Sequence, residues 1–98
     1  MQPNAKPAVM VQHNPEANRF ETVVNGQLSF TTYRMEGRGI MAMTHTEVPL
    51  SLRRRGVAGE LVRAAVEHAR RHGLRIAPYC SYVRSYVQRH PETHDVLA

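Results

Sequence analysis

The chain has 98 residues, enough for one domain with a single modest core. Its 42% hydrophobic and 21% charged residues suit a folded chain; no apolar run approaches the roughly 18 residues of a membrane span, and the polar opening MQPNAKP lacks the apolar stretch of a secretory signal. One cysteine, Cys80, excludes an internal disulfide and a Cys-rich zinc module and points to the reducing cytoplasm, while 13 Lys and Arg against 8 Asp and Glu leave a net charge of +5.

Residues 1–8 read as a flexible tail, with Pro3, Asn4 and Pro7 and no periodicity, and residues 9–98 as a single domain. Residues 9–13 form a short strand candidate, and Asn14, Pro15 and Asn18 mark a turn. The run 19–24 alternates, with Phe20, Thr22 and Val24 on one face. Asn25-Gly26 follows, the pair a type I′ hairpin asks for because both central residues need positive φ. Residues 28–35 return as the partner strand, rich in β-branched and aromatic residues. Phe30 and Tyr33 fall on opposite faces of it, so at most one joins an RNA-stacking platform; Phe30 is expected in the core. Met10, Met35, Met41 and Met43 read as core filler. A turn at 36–39 leads to a third long strand, 40–48.

The period then changes. From 57 to 72 the apolar residues fall at 57, 58, 61, 62, 65, 66 and 69, the stripe of an amphipathic helix. Glu67 and Arg71 have the i,i+4 order of a surface pair, and Gly73 is placed to end the helix. Residues 74–78 are a short buried strand. Ser81 caps a final helix to about residue 90, with Tyr82, Val83, Tyr86 and Val87 on one side, and Pro91 stops it. Residues 92–98 are a tail or a short packed extension. Strand 40–48, helix and strand 74–78 form a crossover, so those two strands are expected to be parallel. The fold class is α+β: a compact, mixed, mostly antiparallel sheet with one parallel β-α-β step and a C-terminal helix, and the step is where ligands tend to sit.

The most informative segment is Arg53-Arg54-Arg55-Gly56-Val57-Ala58-Gly59, between a strand and a helix start. Unpaired amides and the positive end of the helix dipole lie there; small residues let an anion approach the backbone, and three arginines add charge. Together these make a phosphate or pyrophosphate site. A solvated basic turn would carry the same residues. The basic balance also fits a nucleic-acid surface using Arg53–Arg55 and Arg70–Arg71, a reading ranked below the others. His68 and His72, and His90 and His94, are spaced four apart, but neither pair has a second ligand set, so they read as surface histidines and no metal is expected.

Arg-x-x-Gly-x-Ala at 53–58, after Val48-Pro49 and opening a helix, resembles the Q/R-x-x-G-x-G/A motif of the GNAT superfamily of acyl-CoA-dependent N-acyltransferases. The segment from Pro78-Tyr79-Cys80-Ser81-Tyr82-Val83 to His90-Pro91-Glu92, together with His13-Asn14-Pro15-Glu16 and the Asn25-Gly26 hairpin, resembles a small GNAT-like subgroup of roughly a hundred residues. The resemblance implies an acetyl-CoA-dependent N-acetyltransferase acting on an amine. It places the coenzyme A pyrophosphate on the amides of the loop Arg53, Arg54, Arg55, Gly56, Val57, Ala58 and Gly59, and splays the two parallel strands so that the pantetheine arm pairs with free strand edges beside Thr46 and Val48. Larger members carry two helices between their first two strands, for which the five residues 14–18 leave no room. The rival reading is accordingly a non-catalytic acyl-CoA-binding or protein-interaction module, and a monomer or homodimer is expected.

Six residues are candidates for the chemistry. Cys80 would lie just after the second parallel strand; a thiolate near arginines or a helix N-terminus has a lowered pKa and can accept an acyl group, while a small buried space-filler is the other role open to it. His45 or Glu47, on one face of the strand leading to the loop, can serve as base for direct attack by an amine, with Thr46 on the other face. Tyr82, or its neighbours Tyr79 and Tyr86, can protonate the departing thiolate.

Overall fold

The computed structural model describes residues 9–98; the expected tail at 1–8 lies outside the described residues. Five strands form one sheet in chain order: β1 (Gln12–Asn14), β2 (Arg19–Val24), β3 (Gln27–Glu36), β4 (Ile40–Glu47) and β5 (Arg75–Pro78). The first four pair antiparallel. β4 and β5 pair parallel across helix α1 (Val57–His72), and α2 (Ser81–Arg89) follows β5. This is the mixed α+β arrangement that the sequence implies. No helix among the described residues is long and apolar enough to cross a membrane.

Local chemistry explains the elements. Asn25 and Gly26, at φ 52° and 74°, turn β2 into β3 as a type I′ hairpin requires. The stripe of α1 buries Val57, Leu61, Val62, Ala65, Val66 and Ala69 against Phe20, Tyr33, Met41, Met43 and Ile76 of the sheet. Gly73, at φ 66°, ends the helix in the left-handed region. After Pro91 the chain packs as a 3-10 segment, Pro91–Val96: Thr93 and Val96 are buried, and the Ala98 amide donates to the Ile76 carbonyl at 2.8 Å.

Several expectations need correction. The first strand begins at Gln12 rather than at residue 9, because the Met10 carbonyl is taken by the Thr22 hydroxyl (2.7 Å) instead of by a ladder amide. The covered face of β3 carries Ser29, Thr31 and Tyr33, so Tyr33 is the core aromatic; Phe30 lies half-buried on the opposite face with Arg19 stacked over its ring at 4.8 Å. Met41 and Met43 fill the core, whereas Met10 and Met35, at 75% and 49% exposure, do not. Glu67 pairs with Arg70 at 2.7 Å instead of Arg71, because Arg70 also reaches Asp95 at 2.7 Å. Ser81 is the first residue of α2; extended Cys80 takes the N-cap position, and no side chain caps it.

β4 has two irregularities near its C-terminal end. Thr32 faces His45 while Tyr33 faces Met43, so Thr44 is the extra residue of a bulge. β5 ends opposite Met43, and the Cys80 amide closes that pairing on the Met43 carbonyl at 2.9 Å. Beyond it the edge of β4 has no strand partner on the β5 side among the described residues.

Candidate functional site

From the end of β4 the chain runs through Val48-Pro49 into a 3-10 turn, Leu50–Leu52, whose buried Leu52 pins it to the core. Arg53 folds back so that its Nε donates to the Val48 carbonyl at 3.2 Å. Arg54 (φ 66°) and Gly56 (φ 79°) are both left-handed, and α1 begins at Val57 with no side-chain cap. Among the described residues the backbone amides of 54–59 donate no hydrogen bond of good geometry, and the first such bond of the helix runs from the Glu60 amide to the Gly56 carbonyl at 3.1 Å. A row of free amides at the positive end of a 16-residue helix has the chemistry to receive an anion.

The glycines at this loop have different roles. A Cβ on Gly56 would meet nothing within 4 Å, so glycine is required there for its backbone conformation rather than for space. A Cβ on Gly59 would meet the Tyr82 hydroxyl and Tyr86 Cε2, each at 3.7 Å, which is ordinary contact, so this position has room for an alanine against the tyrosines of α2. Among the described residues, Arg53, Arg54 and Arg55 have no carboxylate partner, unlike Arg19, Arg34, Arg63 and Arg70.

The loop forms one wall of a cleft of about 570 Å³. Arg53, Arg54, Gly56, Val57, Ala58 and Gly59 line it on the loop side, and Thr46 and Val48 on the side of β4. Tyr82 of α2 and His45 and Glu47 of β4 complete its lining. His45 Nε2 lies 2.8 Å from Glu47 Oε1, with both side chains more than half exposed. Burial pushes the Tyr82 phenol up, which keeps it protonated.

Other candidates stand elsewhere. Arg55 and Cys80 are not on the cleft wall. The half-buried Cys80 thiol donates to Thr46 Oγ1 at 3.7 Å, and Thr46 in turn meets Thr31 Oγ1 at 2.9 Å, so the sulfur touches the cleft lining only through Thr46 among its hydrogen-bond partners. Tyr79 turns back toward β3, where its hydroxyl donates to Glu36 at 3.4 Å and Arg34 lies over its ring. Tyr86 is buried beneath His90, their rings 4.0 Å apart, and its phenol is pushed up by burial and by Glu92. Leu52 and Thr31 escaped sequence reasoning. Leu52 sits in a turn without periodicity; Thr31 faces Thr46 only in the register that the Asn25-Gly26 hairpin and the Thr44 bulge jointly fix. Among the described residues no group of His, Cys, Asp and Glu is arranged to hold a metal ion.

Residues 19–96 match the family described as GCN5-related N-acetyl-transferase. Protein NATD1 of Mus musculus is 31% identical over 85 residues, covering 85% of this chain and 77% of that protein. The Xenopus tropicalis protein of the same name is 29% identical over 86 residues, covering 86% of this chain and 79% of its own length. A Staphylococcus aureus protein solved by NMR and described as GCN5-like has the same fold, with a TM-score of 0.70 at 27% identity over 91% of this chain and 87% of that one.

Proposed function

This chain belongs to the GCN5-related N-acetyltransferase family, and from that premise we propose that it binds acetyl-CoA in the cleft and transfers the acetyl group to an amine. One observation carries the reading: the amides of 54–59 stand without acceptors on the wall of a cleft that also holds a histidine, a carboxylate and a protonated phenol. The residues present suit the ligand. The bare amides and the arginines Arg53 and Arg54 receive a diphosphate, and the unpartnered edge of β4 from Thr44 offers backbone groups to the amide-bearing pantetheine arm beside Thr46 and Val48. Acetyl-CoA, when bound, supplies an acyl group activated as a thioester.

Glu47 accepts the Nε2–H of His45, which leaves Nδ1 with its lone pair as the base. His45 takes the proton that the amine loses as the N–C bond forms, and Tyr82 gives its phenolic proton to the sulfur as the C–S bond breaks. Cys80 supports the step at one remove, its thiol steadying Thr46 on the cleft wall. A reducing, cytoplasmic compartment suits this free thiol.

The test is incubation of the native chain with acetyl-CoA carrying labelled acetyl and a panel of amines, followed by mass spectrometry. Label on an amine supports transfer. Intact thioester bound without turnover supports instead an acyl-CoA-holding module, a reading favoured by the short Pro15–Ala17 turn that joins β1 to β2. Failure to bind coenzyme A overturns both.

A further inference from the structure

Away from the cleft, imidazoles from two elements meet. His13 of β1 stacks on Phe20 with centroids 4.4 Å apart and meets the edge of His68 of α1 at 4.4 Å. His68 lies against His72 at 4.3 Å, and His13 Nε2 is 2.7 Å from the Tyr33 hydroxyl. Spacing alone made His68 a surface residue; it is half-buried between His13 and the Phe20 ring. β1 is only three residues long, so this ring cluster is a large part of what seats it against α1.

The charges facing the cluster favour neutral rings. A groove of about 480 Å³ opens His13 and His68 to water, and α1 contributes Glu60, Arg63, Glu67 and Arg71 to its lining. Both carboxylates are engaged, Glu60 by Arg63 at 3.2 Å and Glu67 by Arg70 at 2.7 Å. Arg71 adds positive charge, His72 a third imidazole, β3 the Tyr33 phenol, and β2 only the Phe20 ring. Burial lowers the proton affinity of His13 and His68; repulsion from His72 lowers it further at His13, and repulsion from His13, His72 and Arg71 does so at His68.

We infer that the His13–His68–His72 stack is an acid-operated clasp, which holds β1 against α1 while its rings are neutral and releases β1, baring Phe20 and Tyr33, when they take up protons. His13 and His68 bind fewer protons when clasped than when released, so release gains ground as pH falls below the ordinary histidine value of 6.5 and continues to do so down to their lowered values. The released fraction grows about tenfold per pH unit for each proton taken up, and about a hundredfold where two are taken up together.

Amide hydrogen exchange of the full chain between about pH 7.5 and pH 5, corrected for intrinsic rates, reads this directly. The expected result is a steep loss of protection at Gln12–Asn14 below about pH 6.5, with the amides of α1 and β4 still protected, and a flatter profile in His68→Gln and His72→Gln. Protection of β1 that does not change with pH, that is lost together with the whole sheet, or that falls identically in the variants overturns the inference. If the variants do not fold, imidazole proton shifts of the native chain decide. Inflections of His13 and His68 below the ordinary value, coincident with the loss of β1 protection, support the clasp; ordinary titration contradicts it.

Discussion

Gly56 and Gly73 make a matched pair for testing the loop. They bracket α1, are left-handed at φ 79° and 66°, and in both places an added Cβ meets nothing within 4 Å. Alanine therefore brings the same perturbation to each: no clash, but a backbone strain of about 1–2 kcal/mol. In a domain of this size that lowers Tm by roughly 4–15 °C in either variant. The consequences for binding differ. At Gly56 the strain falls where the amides are aimed, and relieving it rotates them; one charge-assisted hydrogen bond is worth about 1.5–3 kcal/mol, so coenzyme A affinity falls about 10- to 100-fold. At Gly73, at the opposite end of the helix, affinity stays at the native value. Calorimetric titration with coenzyme A well below both melting temperatures separates the effects. Equal loss of affinity in the two variants, or none at Gly56, refutes the assignment of the diphosphate to this loop.

Other outcomes are expected from the same structure. Met41→Ala empties a site with no solvent exposure and costs about 2–5 kcal/mol in chemical denaturation; a loss below about 1 kcal/mol contradicts its place in the core. His45→Gln lowers kcat for acetyl transfer by about 10²- to 10⁴-fold and leaves the Kd for coenzyme A unchanged, and a changed Kd instead assigns His45 to binding. Arg70→Ala loses contacts to Glu67, Asp95 and the Glu92 carbonyl, so Tm falls at low salt and the gap from the native chain narrows as salt rises. Because hydrogen bonding to Arg70 holds the Asp95 carboxyl below its ordinary value of 3.8, this contribution is present above that value and is lost as pH falls through the lowered one. The melting curves of native chain and variant therefore converge in acid.

What the sequence discloses depends on how local the physics is. The period of 57–72, the Asn25-Gly26 turn and the helix-ending Gly73 are local signals, and the elements they announce are present with nearly the expected bounds. The choice between Phe30 and Tyr33 for the core is not local. It depends on which sheet face α1 covers, and strand alternation alone leaves that open. The loop is legible because its chemistry lies in the backbone: a strand, small residues and a helix start are enough to foresee bare amides. His45 and Glu47 share a face by alternation. The spacing that groups Arg55 and Cys80 with them carries no information on direction, and both stand off the cleft wall. The Thr44 bulge and the meeting of His13 with His68 arise from tertiary register and leave no trace in the order of residues.

The most direct measurement is a coenzyme A titration of the uniformly ¹⁵N-labelled chain, monitored by amide chemical shifts. Free amides that close on a diphosphate move most: the largest changes are expected at residues 54–59, with smaller ones along the open edge of β4 from Thr44. Saturable binding that leaves 54–59 unmoved, or no binding at millimolar coenzyme A, contradicts the account.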